Sequence, residues 1–181
     1  TSAHLDQIKL FLAKQLNVRF TNVYNSFSVE KRATILQEKL NRPIRICGMV
    51  KNEGEPGGGP FWVKSKEGDL TKQIVEKSQI DLKSNQFKIL SQSTHFNPVF
   101  MALSAKDGNG KKYDLSEYIN SEEYFVVNKS QKGQDVQFVE SPGLWNGGMY
   151  YWNTVFIELD PKVFTPVKTI LDLLSPLHRG T

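Results

Sequence analysis

The run from Asn52 to Trp62 limits the fold more than any other part of this chain. Four glycines (Gly54, Gly57, Gly58 and Gly59) and two prolines (Pro56 and Pro60) fall between the apolar runs 44–50 and 61–63. Glycine admits positive φ and close backbone approach, while proline fixes φ and removes a donor. The segment therefore follows a fixed and unusual path that serves a turn or a site. A phosphate cradle would need the loop to open a helix, whose free N–H groups hold the anion. Here the loop runs into strand-like Phe61-Trp62-Val63, and neither the Walker nor the dinucleotide pattern is present. Two readings remain: a pocket wall shaped by Gly57 and Gly58, or a wide surface β-hairpin loop. In the first, Glu53 and Glu55 accept hydrogen bonds from ligand hydroxyls.

Ahead of the loop, Leu5, Ile8, Leu12 and Leu16 recur at spacings of three and four, which predicts a helix with one apolar face. Val29, Ala33, Leu36 and Leu40 repeat the pattern over about 29–40, with Ser28 as a cap and Pro43 beyond the end. Residues 1–42 thus read as a helical lead-in and 43–181 as a mixed α/β unit. Extended runs are expected at 44–50, 61–64 and 73–80, with a compact apolar run at 98–103 and a strand at 153–159. A hairpin is expected from 124–127 and 136–139 around Lys132-Gly133. Short helices are expected at 87–90 and 114–119, and a last helix at 166–174. Helices and strands mix without strict alternation, which gives a mixed α/β fold class.

The net charge of +4 is spread among acidic residues along all 181 positions. No basic block with interleaved aromatics occurs, so nucleic acid is not an expected partner, while a small anionic ligand is favoured. The lone Cys47 lies in an apolar run and reads as a buried thiol; one cysteine makes no internal disulfide and no zinc ribbon. No apolar run approaches the roughly 18 residues of a membrane span, and charged Asp6 and Lys9 break any signal-peptide pattern. The expectation is a cytoplasmic protein with no membrane partner.

Three further segments carry candidate chemistry. In Thr94-His95-Phe96-Asn97-Pro98, Asn97 offers both a donor and an acceptor for a sugar hydroxyl or base edge, and Pro98 holds it extended. His95 has no second His or Cys at ligand spacing and reads as a structural hydrogen-bonder. Trp145 and Asn146, with Trp152 and Asn153, either stack on and read a sugar or base, or fill a core corner. Lys168 lies near the predicted N-terminus of the last helix, where a cation is unfavourable unless an anion shares the spot.

Residues 48–63, 73–81, 93–99, 142–153 and 164–174 together resemble the C-terminal part of a bacterial family, domain of unknown function 4301, over essentially the whole chain. More distantly, Phe164-x-Pro166-Val167-Lys168-Thr169-x-x-Asp172-Leu173-Leu174 is similar to a string of UDP-glucose pyrophosphorylases. Ile74-Val75-Glu76-Lys77-Ser78-Gln79-Ile80 is similar to V-V-E-Y-S-E-I of UDP-N-acetylhexosamine pyrophosphorylases. This resemblance implies the C-terminal half of a GT-A-like nucleotidyltransferase fold, a mixed sheet flanked by helices. It implies transfer of a nucleotidyl group to a sugar 1-phosphate, with Lys168 as the catalytic phosphate contact and Glu76 and Asn97 facing the sugar. The G-x-G-T-R-type loop and the metal-binding aspartate of those enzymes have no counterpart here. The resemblance therefore implies Mg²⁺ held in a missing N-terminal half, this chain being a fragment or one piece of a split protein. The implied partners are a nucleotide sugar or sugar phosphate and that missing half. The alternative expectation is a non-catalytic module that binds a ligand or a protein partner.

Overall fold

The computed structural model describes residues 1–55, 57–144 and 147–179. Helix α1 (Ser2–Gln15) and helix α2 (Val29–Leu40) follow the predicted periodicities. Ser28 caps α2 by accepting from the Lys31 N–H at 3.3 Å, and so satisfies one of the donors that every helix start leaves free. The apolar faces meet through Leu12 and Leu36, both at most 1% exposed, together with Leu16, Val18 and Tyr24. Ile44 and Val155 pack against the same cluster, so the boundary at 42/43 crosses one hydrophobic core.

One sheet is built around β2 (Ile44–Lys51). The late strand β9 (Asn153–Glu158) pairs with it in parallel, from Ile44 beside Asn153 to Met49 beside Glu158. Two short strands, β5 (His95–Phe96) and β6 (Met101–Ser104), pair antiparallel with its two ends. The second sheet comprises β1 (Val18–Arg19), β4 (Leu70–Val75) and β3 (Gly59–Lys64), in the order β1-β4-β3. Cys47, Met49 and Ile74 form a second buried cluster that ties the two sheets together. Burial raises the pKa of the Cys47 thiol. Strands β7 (Phe125–Gln131) and β8 (Gln134–Glu140) form the expected hairpin. Its turn residues Lys132 and Gly133 have φ of 53° and 79°, the positive values that a type I′ turn requires. The short helix α3 (Gln86–Ser91) and a single 3₁₀ turn at Leu115–Tyr118 match expectation. No helix among the described residues is long and apolar enough to cross a membrane.

Three expectations are corrected. The glycine loop is not a hairpin connection, because β2 and β3 belong to different sheets; the chain crosses from one to the other. The extended run expected over 73–80 ends at Val75. There Glu76 and Gln79 form a reciprocal capping box that starts a 3₁₀ turn at Lys77–Gln79. The last helix does not span 166–174. Asp172 Oδ2 accepts from the N–H groups of Lys168 (2.7 Å) and Thr169 (2.6 Å), so a 3₁₀ helix begins only at Ile170–Leu174. Pro176 then opens α4 (Pro176–Arg179).

Candidate functional site

Antiparallel pairing places Phe61 beside Gln73 and Val63 beside Thr71, so these four share one face of the β3–β4 sheet. The segment after β4 folds back over that face and leaves a groove lined by Phe61, Trp62, Val75, Gln79, Gln86 and Glu123. Behind it is a narrow recess formed by Arg45, Gln73, Glu123, Gly147 and Tyr150. The Arg19 guanidinium lies 3.9 Å from the Trp62 ring centre, on the sheet face opposite Phe61 and Gln73.

Arg45 is only 3% exposed. Its Nε donates to Thr154 Oγ1 and its Nη2 to Gln73 Oε1, both at 2.9 Å. Among the described residues no carboxylate pairs with it, and desolvation lowers its pKa. Gln73 Nε2 continues the chain by donating to Tyr150 O at 3.0 Å. The result is a fixed, buried positive charge held by neutral partners, whose field is felt strongly in a low-dielectric recess.

Glu123 is the acidic counterpart. Burial pushes its carboxyl above the usual range, against the opposing effect of the Gln79 amide, which donates to Oε2 at 3.0 Å. Burial, with Glu123 nearby, raises the Tyr150 phenol to about 12. A partly desolvated carboxylate beside two amides is suited to accepting hydrogen bonds from ligand hydroxyls. Gly147 makes this arrangement possible. Its φ is 72°, and a Cβ there would lie 2.5 Å from Glu123 Cβ and 2.7 Å from Asn120 O.

The residues expected from sequence fall in several places. Gly57 and Gly58 lie against β5: Gly58 O accepts from Asn97 N at 2.9 Å, and a Cβ on Gly57 would meet Phe96 at 2.9 Å. The structure thus brings Gly57, Gly58 and Asn97 together. The Asn97 carboxamide, however, is committed to backbone: Nδ2 donates to Gly48 O at 2.8 Å, and Oδ1 accepts from Val99 N at 3.1 Å, in a residue 1% exposed. Glu76 serves its capping box, while Gln79, three residues on, reaches the groove. In the loop, Glu55 Oε2 accepts from Glu53 N at 2.8 Å, an internal contact. His95 bonds to Thr94 Oγ1 at 2.8 Å and to Glu158 Oε1 at 3.3 Å, the structural role expected of it. Lys168 is exposed and does not line the groove. Its supposed conflict with a helix dipole disappears, since Asp172 receives the free amides there. Trp145 and Asn146 lie outside the described residues; Trp152, at 7% exposure, fills a core position.

Sequence reasoning missed Arg45, Gln79 and Glu123. Arg45 left a weak signal, since in the strand it alternates onto the same face as the apolar residues Cys47 and Met49. Glu123 left none, because its burial depends on a segment distant in sequence. Among the described residues, no group of three His, Cys, Asp or Glu side chains is placed to hold a metal ion. The described residues thus form no cage for Mg²⁺.

Among curated proteins, none matches the chain. A family description, DUF4301, "domain of unknown function", matches residues 1–179. The match takes in both sheets and the groove between β3–β4 and Glu123, and the chain therefore belongs to the DUF4301 family.

Proposed function

We propose that this chain holds the sugar phosphate in a nucleotidyl-transfer protein of the UDP-sugar pyrophosphorylase type, as part of a GT-A-like domain. One observation carries the reading: an aromatic- and amide-lined groove with a desolvated carboxylate sits in front of a buried arginine that has no carboxylate partner among the described residues. Phe61 offers a flat face to a sugar ring. Gln79, Gln86 and Glu123 offer donors and acceptors to its hydroxyls. Arg45 favours an anionic ligand by its field. In such a reaction the sugar phosphate oxygen attacks the α-phosphorus of a nucleoside triphosphate and pyrophosphate leaves. The contribution of this chain is to position the nucleophile. Lys168 enters as a phosphate contact through the resemblance alone.

Thermal unfolding with and without ligand tests this, because a ligand selective for the folded state raises the midpoint. Glucose 1-phosphate and N-acetylglucosamine 1-phosphate at millimolar concentration should raise it by several degrees, and inorganic phosphate should not. Glu123→Gln should abolish the shift. No response to any sugar phosphate or nucleotide sugar refutes the proposal. A response that survives Glu123→Gln but is lost in Lys168→Ala moves the site to the C-terminal segment.

A second reading, a non-catalytic binding module, is favoured by the exposed position of Lys168 and the backbone-committed Asn97. Binding without nucleotidyl transfer by the natural protein would select it.

A further inference from the structure

One side of α2 closes a cavity that the sugar-phosphate groove does not use. Lys31, Ile35, Glu38 and Arg42 recur at spacings of four and three, so they share one side of the helix and of the residues just past its end. The 3₁₀ turn Asn22–Ser26, the 65–69 turn between β3 and β4, and Tyr151 complete the walls. The enclosed volume is about 390 Å³, which suits a small molecule. Phe20 and Tyr24 line it with their ring centres 4.7 Å apart. Val23, Phe27 and Tyr151 are 57%, 38% and 36% exposed, and all three belong to this one cavity.

Two charges in the wall neutralise each other: Asp69 lies 3.1 Å from Lys39 Nζ and also accepts from the Thr21 N–H at 3.1 Å. Arg42 has no such partner. Its Nε donates to Glu38 O at 2.9 Å, one of the carbonyls that the end of α2 leaves free, and its Nη1 to Tyr151 O at 3.4 Å. The guanidinium lies 5.7 Å from the Tyr151 ring centre. Among the described residues its Nη2 meets no acceptor and no carboxylate comes within ion-pair distance. Desolvation lowers its pKa, and Glu38 and Glu67 oppose this only at longer range. A guanidinium in this state matches a carboxylate with its planar fork. Glu38 and Glu67, however, repel a second negative charge placed there.

We propose that this cavity binds a small molecule with a single carboxylate on an aromatic body, the carboxylate on Arg42 and the ring among Phe20, Phe27 and Tyr151. None of these four residues lines the groove or the recess behind it, so the inference stands apart from the sugar-phosphate reading. Calorimetric titration of the 181-residue chain with phenylacetate at millimolar concentration tests it. The expected result is saturable binding at one site. Acetate, which lacks the ring, and phenyl phosphate, which carries a second charge, should each bind about tenfold more weakly or worse. Arg42→Gln should weaken phenylacetate by about tenfold or more. Phe27→Ala should weaken it too, with a melting temperature close to wild type because Phe27 is 38% exposed. Glu123→Gln should leave phenylacetate binding unchanged, and glucose 1-phosphate should not compete with it. No binding of phenylacetate to the folded chain overturns the proposal. Phenyl phosphate binding as tightly as phenylacetate overturns the carboxylate class. Affinity that survives in folded Arg42→Gln and Phe27→Ala places the ligand elsewhere and overturns the site.

Discussion

Replacing Asn97 by alanine separates a structural from a ligand-reading role. Asn97 sits where the register of β2 slips between β5 and β6, and its carboxamide bridges Gly48 O and Val99 N at 2.8 and 3.1 Å. Val99 has φ of 69°, a region in which a β-branched residue is a genuine outlier. Truncation leaves a carbonyl and an N–H without these partners, and each unsatisfied buried group costs about 1–3 kcal/mol. Relaxation of Val99 returns about 1 kcal/mol of the 1–2 kcal/mol that left-handed backbone costs. The net expectation is a loss of about 1–5 kcal/mol from a total of about 5–15 kcal/mol. With a urea m-value of about 2 kcal/mol/M, the midpoint should fall by about 0.5–2.5 M. Equilibrium unfolding followed by tryptophan fluorescence measures this. Asn97→Asp adds a check on sign: it keeps the acceptor for Val99 N but places a carboxylate oxygen against Gly48 O, so its deficit should shrink as acid protonates it. A loss below about 0.5 kcal/mol in Asn97→Ala, accompanied by lost sugar-phosphate binding, would refute the clamp and restore Asn97 as a ligand reader.

Four other perturbations follow from the structure. The raised carboxyl of Glu123 means that the folded state binds more protons than the unfolded state between the two pKa values, so its burial costs stability as pH rises through that window. Glu123→Gln should therefore gain stability relative to wild type at pH 7 and lose that gain by pH 4, as read from melting temperatures; equal differences at both pH values would contradict the desolvation argument. Gly147→Ala meets both a φ of 72° and a Cβ 2.5 Å from Glu123, so it should cost more than about 2 kcal/mol in urea unfolding. Gly133→Asn in the open hairpin turn should cost under about 0.5 kcal/mol in the same assay. Arg45→Met removes a buried charge but leaves Gln73 Oε1 and Thr154 Oγ1 without their donor, so each of these buried acceptors should cost about 1–3 kcal/mol in urea unfolding. Its circular dichroism spectrum should match wild type while calorimetry shows no sugar-phosphate binding; retained affinity would remove Arg45 from the site.

Much of the element list was legible because it rests on local rules. The periodicities of Leu5 to Leu16 and Val29 to Leu40 determine two helices, and Lys132-Gly133 determines a hairpin turn. Where short side chains offered competing local bonds, periodicity misled. Asp172 and the pair Glu76–Gln79 each bind nearby backbone, and so they end or delay the regular element expected there.

The glycine-proline run alone required a break between two strands. Which sheets those strands join was decided only by pairing over long separations: β2 with β9 more than a hundred residues later, and β3 with β4. The groove depends on that pairing, since Glu123 becomes a desolvated carboxylate only when Gly147 and Gln79 close around it. Desolvation is a property of the assembled surroundings, and no residue carries it in its own letter. Asn97 shows the same division from the other side: its amide chemistry was plain in the sequence, but the fold turns both ends of that amide toward its own backbone.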